Sequence, residues 1–94
     1  MTWYVYLLEC RDGSIYTGIA LDVAARFAAH ASGAGARYTR SHPPSRVIAT
    51  FAYPDKSAAL KAEYRIRRLP AREKRAMVSA DGMAASGAPG NPSK

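Results

Sequence analysis

From Trp3 to Leu8 six consecutive side chains are apolar or aromatic, and Glu9 ends the run. The stretch is too short for a lone helix and rich in strand-forming types, which predicts a buried strand over residues 3–9. Residues 14–19, Ser-Ile-Tyr-Thr-Gly-Ile, predict a second strand. After Asp22 the spacing turns helical: Val23, Phe27 and Ala31 recur every fourth residue, with Asp22 as N-cap. Gly33 and Gly35 end that helix. Residues 33–45 read as a loop, and Arg46–Tyr53 reads as a third strand. Asp55 caps a second helix that runs to Leu69, with Ala59, Ala62, Ile66 and Leu69 as its apolar stripe. Pro70 cannot continue it without losing a backbone bond, so a third helix covers Ala71 to about Ser79. The order β-β-α-β-α-α predicts an α+β fold, a three-stranded sheet with one face covered by helices.

Composition narrows this picture. A chain of 94 residues holds one domain. Its 48% hydrophobic content includes 19 alanines, leaving 26 larger apolar or aromatic side chains for the core. That excludes a large internal cavity, a bound macrocycle or a second domain. No apolar run approaches the roughly 18 residues of a membrane span. No basic segment precedes Trp3–Leu8, so the run is not read as a secretion signal. The single Cys10 builds neither a disulfide framework nor a metal cluster, and it is expected as a small core residue. A cytoplasmic protein is expected.

Charge then points outward. The net charge is +7. Residues 81–94, with three Gly, two Pro and two Ser, are expected to form a disordered tail. Asp81 and Lys94 cancel, so the excess belongs to a folded domain over residues 1–80. Between Lys61 and Arg75, seven basic residues face Glu63 and Glu73, which gives +5 in that run alone. A polyanionic partner is implied.

Three constellations carry candidate chemistry. The first is Tyr6 with Tyr16. A two-residue Asp12-Gly13 turn would put them on opposite faces of a hairpin. A three-residue loop, Arg11-Asp12-Gly13, pairs Tyr6 with Gly18 and puts both phenols on one face. That loop needs a left-handed third residue, and Gly13 stands there. Gly18 opposite Tyr6 leaves room for a close approach. The second is Arg26 with His30, four apart on the first helix and flanking its buried edge. Arginine suits phosphate oxygens, and histidine moves protons near neutral pH. The third is Glu63 on the second helix, a hard oxygen donor for one Mg²⁺ whose other ligands are waters and substrate phosphate. Each also has a plainer role: strand-forming tyrosines, a solvated arginine beside a structural histidine, and an i,i+4 pair of Glu63 with Arg67.

Their order and spacing resemble the GIY-YIG nuclease superfamily. Tyr4-Val5-Tyr6, Tyr16-Thr17-Gly18 ten residues later, Arg26 and His30 in the next helix and Glu63 in a later one carry the resemblance. It covers roughly residues 3 to 78 and is nearest the small stand-alone bacterial branch, the YhbQ-like proteins. The resemblance implies a three-stranded antiparallel sheet flanked by helices and a metal-dependent phosphodiesterase acting on nucleic acid. It implies catalytic roles for Tyr6, Tyr16, Arg26 and His30, one tyrosine helping to activate the attacking water. It implies Glu63 as ligand of one Mg²⁺ or Mn²⁺, and products with 5′-phosphate and 3′-hydroxyl ends. The first motif reads YVY and the second YTG. Ser14 and Ile19 flank the second motif where many relatives carry a basic residue, and the only asparagine is Asn91.

The expected partner is DNA, single-stranded or branched, because so small a domain without a groove-reading helix reads sequence poorly. Arg37, Tyr38, Arg40 and Arg46 suit stacking and phosphate contact with an unpaired strand. Lys61, Arg65, Arg67 and Arg68 extend the basic surface around Glu63. No membrane and no obligate protein partner are expected. The competing reading is a non-catalytic nucleic-acid-binding module on the same scaffold.

Overall fold

The computed structural model describes residues 1–81. Strand β1 (Trp3–Cys10) is central, between β2 (Ile15–Ala20) and β3 (Pro44–Tyr53), and both pairings are antiparallel. The helices are α1 (Val23–Ala31), α2 (Arg37–Ser41), α3 (Lys56–Arg67) and α4 (Ala71–Asp81). Asp22 and Asp55 cap α1 and α3 as expected, each carboxylate accepting from the backbone N–H three residues on. Most of the segment read as a tail, residues 82–94, lies outside the described residues.

The hairpin takes the three-residue loop. Tyr6 pairs with Gly18, and Gly13 has a φ of 89°. Its N–H donates to the Cys10 carbonyl at 3.0 Å. Leu7 and Leu8 are both fully buried, although neighbouring strand residues point to opposite faces. The sheet is therefore covered on both sides, which corrects the expectation of one covered face. On one face Val5, Leu7 and Ile15 pack against Ala59, Ala62 and Ile66 of α3, with Met77 and Val78 of α4. On the other, Tyr6, Leu8 and Ala20 pack against Val23 and Phe27 of α1. Each leucine buried in this way contributes about 1.5–3 kcal/mol. An unbroken apolar run is what two-sided burial requires. Cys10 is buried and free, as expected.

Two element assignments change. Strand β3 begins at Pro44, inside the segment read as a loop. It is an edge strand, where a first-residue proline loses no ladder bond. The same segment also contains α2, a short helix with no apolar periodicity to announce it.

Candidate active site and nucleic-acid interface

Tyr6 and Tyr16 share the α1 face, with ring centroids 6.2 Å apart. Gly18 makes this possible. A Cβ there would stand 2.5 Å from the Tyr6 hydroxyl and 3.0 Å from the Tyr16 ring. The two phenols differ in access: Tyr6 is 1% exposed, whereas Tyr16 lines an open cleft.

His30 is buried at 1% exposure, deeper than the flanking position expected for it. Its Nε2 lies 2.8 Å from the Tyr6 hydroxyl, and its Nδ1 lies 2.7 Å from Thr39 Oγ1. Thr39 donates its own hydroxyl proton to the Ala36 carbonyl at 2.9 Å. A hydroxyl has one proton to give, so Thr39 accepts from His30 Nδ1–H. Nε2 is then the bare nitrogen and accepts from the Tyr6 hydroxyl. The chain of bonds runs one way, from Tyr6 through His30 and Thr39 to the start of α2. Burial, then the neighbouring Arg26 charge, holds the His30 pKa below its usual 6.5. Burial, then Tyr16, raises the Tyr6 pKa above 10.0. Arg26 opposes that rise, and Glu63 adds to it. The guanidinium of α1 and the carboxylate of α3 thus both act on one phenol, although their helices cover opposite faces.

Glu63 is 9% exposed and accepts from Arg67 at Oε2, the i,i+4 pair that its spacing allows. Oε1 takes no hydrogen bond among the described residues. Among those residues no group of three His, Cys, Asp or Glu gathers. The donor set fits a hard divalent cation held by one carboxylate oxygen, waters and phosphate. It does not fit zinc.

The basic residues divide. Arg37 and Arg67 line the cleft beside Tyr16 and Tyr38. Tyr38 stacks on Tyr16 with centroids 5.8 Å apart and on His42 at 4.0 Å. A base stacking there must displace or extend an existing stack. Arg40 is exposed on α2. Arg46 is not brought to the tyrosines; its Nε donates to Glu9 at 2.9 Å. Lys61 and Arg65 are exposed on α3, and Arg68, exposed at its C-cap, turns to the Tyr64 hydroxyl at 2.7 Å.

Two residues of the site escaped sequence reasoning. Thr39 lay in the supposed loop; the one signal was a stretch, Arg37 to Ser41, without glycine or proline. Lys74 counted only as charge, yet it is 6% exposed and donates from Nζ to the Ile15 carbonyl at 3.1 Å. Ile15 precedes Tyr16, so α4 brings a cation to the second motif that local sequence lacks.

A family model described as the GIY-YIG catalytic domain matches residues 2–76, which span every residue of this cluster. The chain belongs to the GIY-YIG family. Its match makes this a nuclease-type domain whose substrate is nucleic acid. Among GIY-YIG relatives, a UPF0213 protein of Cupriavidus pinatubonensis is 58% identical over 72 residues, covering 77% of this chain and 80% of the relative. A UPF0213 protein of Cupriavidus necator is 60% identical over 77 residues, covering 82% and 84%. The solution NMR structure of a UPF0213 protein from Bacillus halodurans matches with a TM-score of 0.55 at 50% identity, covering 87% of each chain. Among the described residues, no helix is long and apolar enough to cross a membrane.

Proposed function

We propose that the chain is a metal-dependent endonuclease that hydrolyses phosphodiester bonds in single-stranded or branched DNA with low sequence specificity. The observation that carries this reading is the difference in access between the two tyrosines. Tyr16 faces the cleft. Tyr6 sits behind it, uncharged, its proton committed to His30. Tyr16 is then the group that takes a proton from the attacking water. An ordinary phenol is a weak base at pH 7, and a phenolate is stabilised by neighbouring positive charge. Arg37 and Arg67 bring positive charge to the cleft that Tyr16 lines, and Arg26 binds the phosphate oxygens on which charge develops. Tyr6, His30 and Thr39 hold the rings in place as positioning residues.

Glu63 would hold one Mg²⁺ or Mn²⁺, which when bound supplies Lewis-acid stabilisation of the leaving oxygen. In the step itself the water oxygen bonds to phosphorus and the bond to the 3′ oxygen breaks. Tyr16 first gives its own proton to solvent; the water proton then goes to the Tyr16 phenolate and the 3′ oxygen is protonated from solvent. The products carry 5′-phosphate and 3′-hydroxyl ends. Cytoplasmic localisation is consistent with this role.

One observation favours the non-catalytic alternative: Arg67 already occupies an oxygen of the proposed ion ligand. Labelled single-stranded, branched and duplex DNA incubated with Mg²⁺, Mn²⁺ or chelator separates the two. Cleavage of unpaired or branched strands that needs metal is expected. Salt-sensitive binding with no cleavage under any metal rejects the enzyme.

A further inference from the structure

Beside Tyr16 lies a cleft of about 460 Å³ whose lining includes Thr17, Arg37, Arg67 and Lys74. Two of these residues are expensive as they stand. Lys74 is 6% exposed, and among the described residues no carboxylate pairs with it. A buried ammonium without a counter-charge is costly. One of its three donors goes to the Ile15 carbonyl, which leaves two. Thr17 is 2% exposed, and its Oγ1 has no hydrogen-bond partner among the described residues. An orphaned buried hydroxyl is destabilising. Thr17 also stands where the motif that names the family has isoleucine, a residue that would fill the position without that cost.

The edge of the sheet adds a donor. Strand β2 is an edge strand, and the Lys74 bond shows that the Ile15 carbonyl points outward. Backbone groups alternate along a strand, so the Thr17 N–H points outward too. Arg67, one of the lining cations, is paired with Glu63. Unspent donors and three cations thus meet around one space with no acid among the lining residues.

We infer that this cleft is a second phosphate subsite, in which Lys74 and Thr17 hold a non-scissile phosphate of the nucleic-acid strand next to Tyr16. The inference rests on the nuclease reading for the source of the phosphate. The docking chemistry is that of a tetrahedral oxyanion with several acceptors, which suits an ammonium, a hydroxyl and a main-chain N–H together. An anion there would also offset the burial that, ahead of the Arg67 charge, depresses the Lys74 pKa.

The test is an amide NMR titration of the full chain at constant ionic strength, with inorganic phosphate and with dithymidine joined by one phosphodiester. Saturable shifts of residues 15–18, 36–38 and 67–74 are expected with both. Thr17→Val replaces the hydroxyl with a methyl group of similar size. It should raise the melting temperature of the free protein yet weaken dithymidine binding about tenfold or more. Lys74→Met should abolish binding. Thr17→Val folds whether or not Lys74→Met does, because it deletes a group without partners. Unchanged affinity in Thr17→Val, shifts confined to residues around Arg26 and His30, or response to inorganic phosphate alone would each overturn the subsite. Cleavage measured in parallel keeps the two readings apart. Loss of the subsite with retained metal-dependent cleavage rejects only the subsite. Subsite binding without cleavage rejects only the nuclease.

Discussion

Glu9 and Glu63 are both carboxylates held by arginine, and they are held for different ends. Glu9 accepts from Arg46 at 2.9 Å on one oxygen and from Arg75 at 2.6 Å on the other. Arg75 also donates to the Gly13 carbonyl at 2.7 Å, which ties α4 to the hairpin loop. Both oxygens are engaged, and the two guanidinium groups hold the Glu9 pKa below 4.5. Glu63 has one arginine on one oxygen and lies where its charge acts on Tyr6. A carboxylate engaged on both oxygens is a fastening, whereas one with an oxygen left over can still take a ligand. The basic run from Lys61 to Arg75 serves both: Arg75 fastens, while Arg67 and Lys74 face the cleft.

The sharpest way to break this comparison is to remove each charge in turn. Glu63→Gln should lower the cleavage rate about 100-fold or more, the scale of losing one electrostatic group at a reacting phosphate. DNA affinity in chelator should stay largely intact. Glu9→Gln should keep cleavage and lose about 1 kcal/mol of stability, since solvent screens its exposed arginines. Equal cleavage loss in both variants would erase the distinction.

The tyrosines sharpen it next. Tyr16→Phe should cost about 100-fold or more in kcat, the usual range for a general base. Tyr6→Phe should cost less and act through geometry, because the Tyr6 hydroxyl contacts His30 and not the cleft. A larger loss in Tyr6→Phe would reverse the assignment.

Thr39→Val is smaller again. It leaves His30 Nδ1–H buried without an acceptor, which costs about 1–3 kcal/mol. It also frees the other tautomer, so the His30 ring signals should show both forms by NMR. A single unchanged tautomer would mean that Thr39 does not set it.

The smallest effect is the pH response, in two windows. The folded pKa of His30 lies below its ordinary 6.5. Its unfolded form binds the proton first, so its contribution is complete above 6.5 and is lost as pH falls through the folded value. Glu9 follows the same sign lower down: its contribution is present above 4.5 and is lost as pH falls through its depressed folded value. Denaturation followed against pH should show both steps. His30→Gln should remove the upper step and leave the lower one.

The hairpin register was legible because loop length and a left-handed glycine fix which residues face each other, and Gly13 answered both. The helix caps were legible for the same local reason. The unbroken apolar run in β1 spoke for two-sided burial, but only the packing of Leu7 and Leu8 on separate helices made that plain. Helix α2 was not legible, since a short segment with one buried residue has no period to read. Thr39 went with it.

Sequence alone determined the family, the order of the strands and main helices, and which side of the hairpin carries both phenols. These depend on short-range rules of alternation, turn chemistry and motif spacing. Tertiary structure alone decided which tyrosine meets solvent, which nitrogen of His30 is bare and which cations of the basic run face the cleft. A charge count has no direction. The direction comes from α4 crossing back to β2, where Lys74 meets a carbonyl 59 residues earlier in the chain.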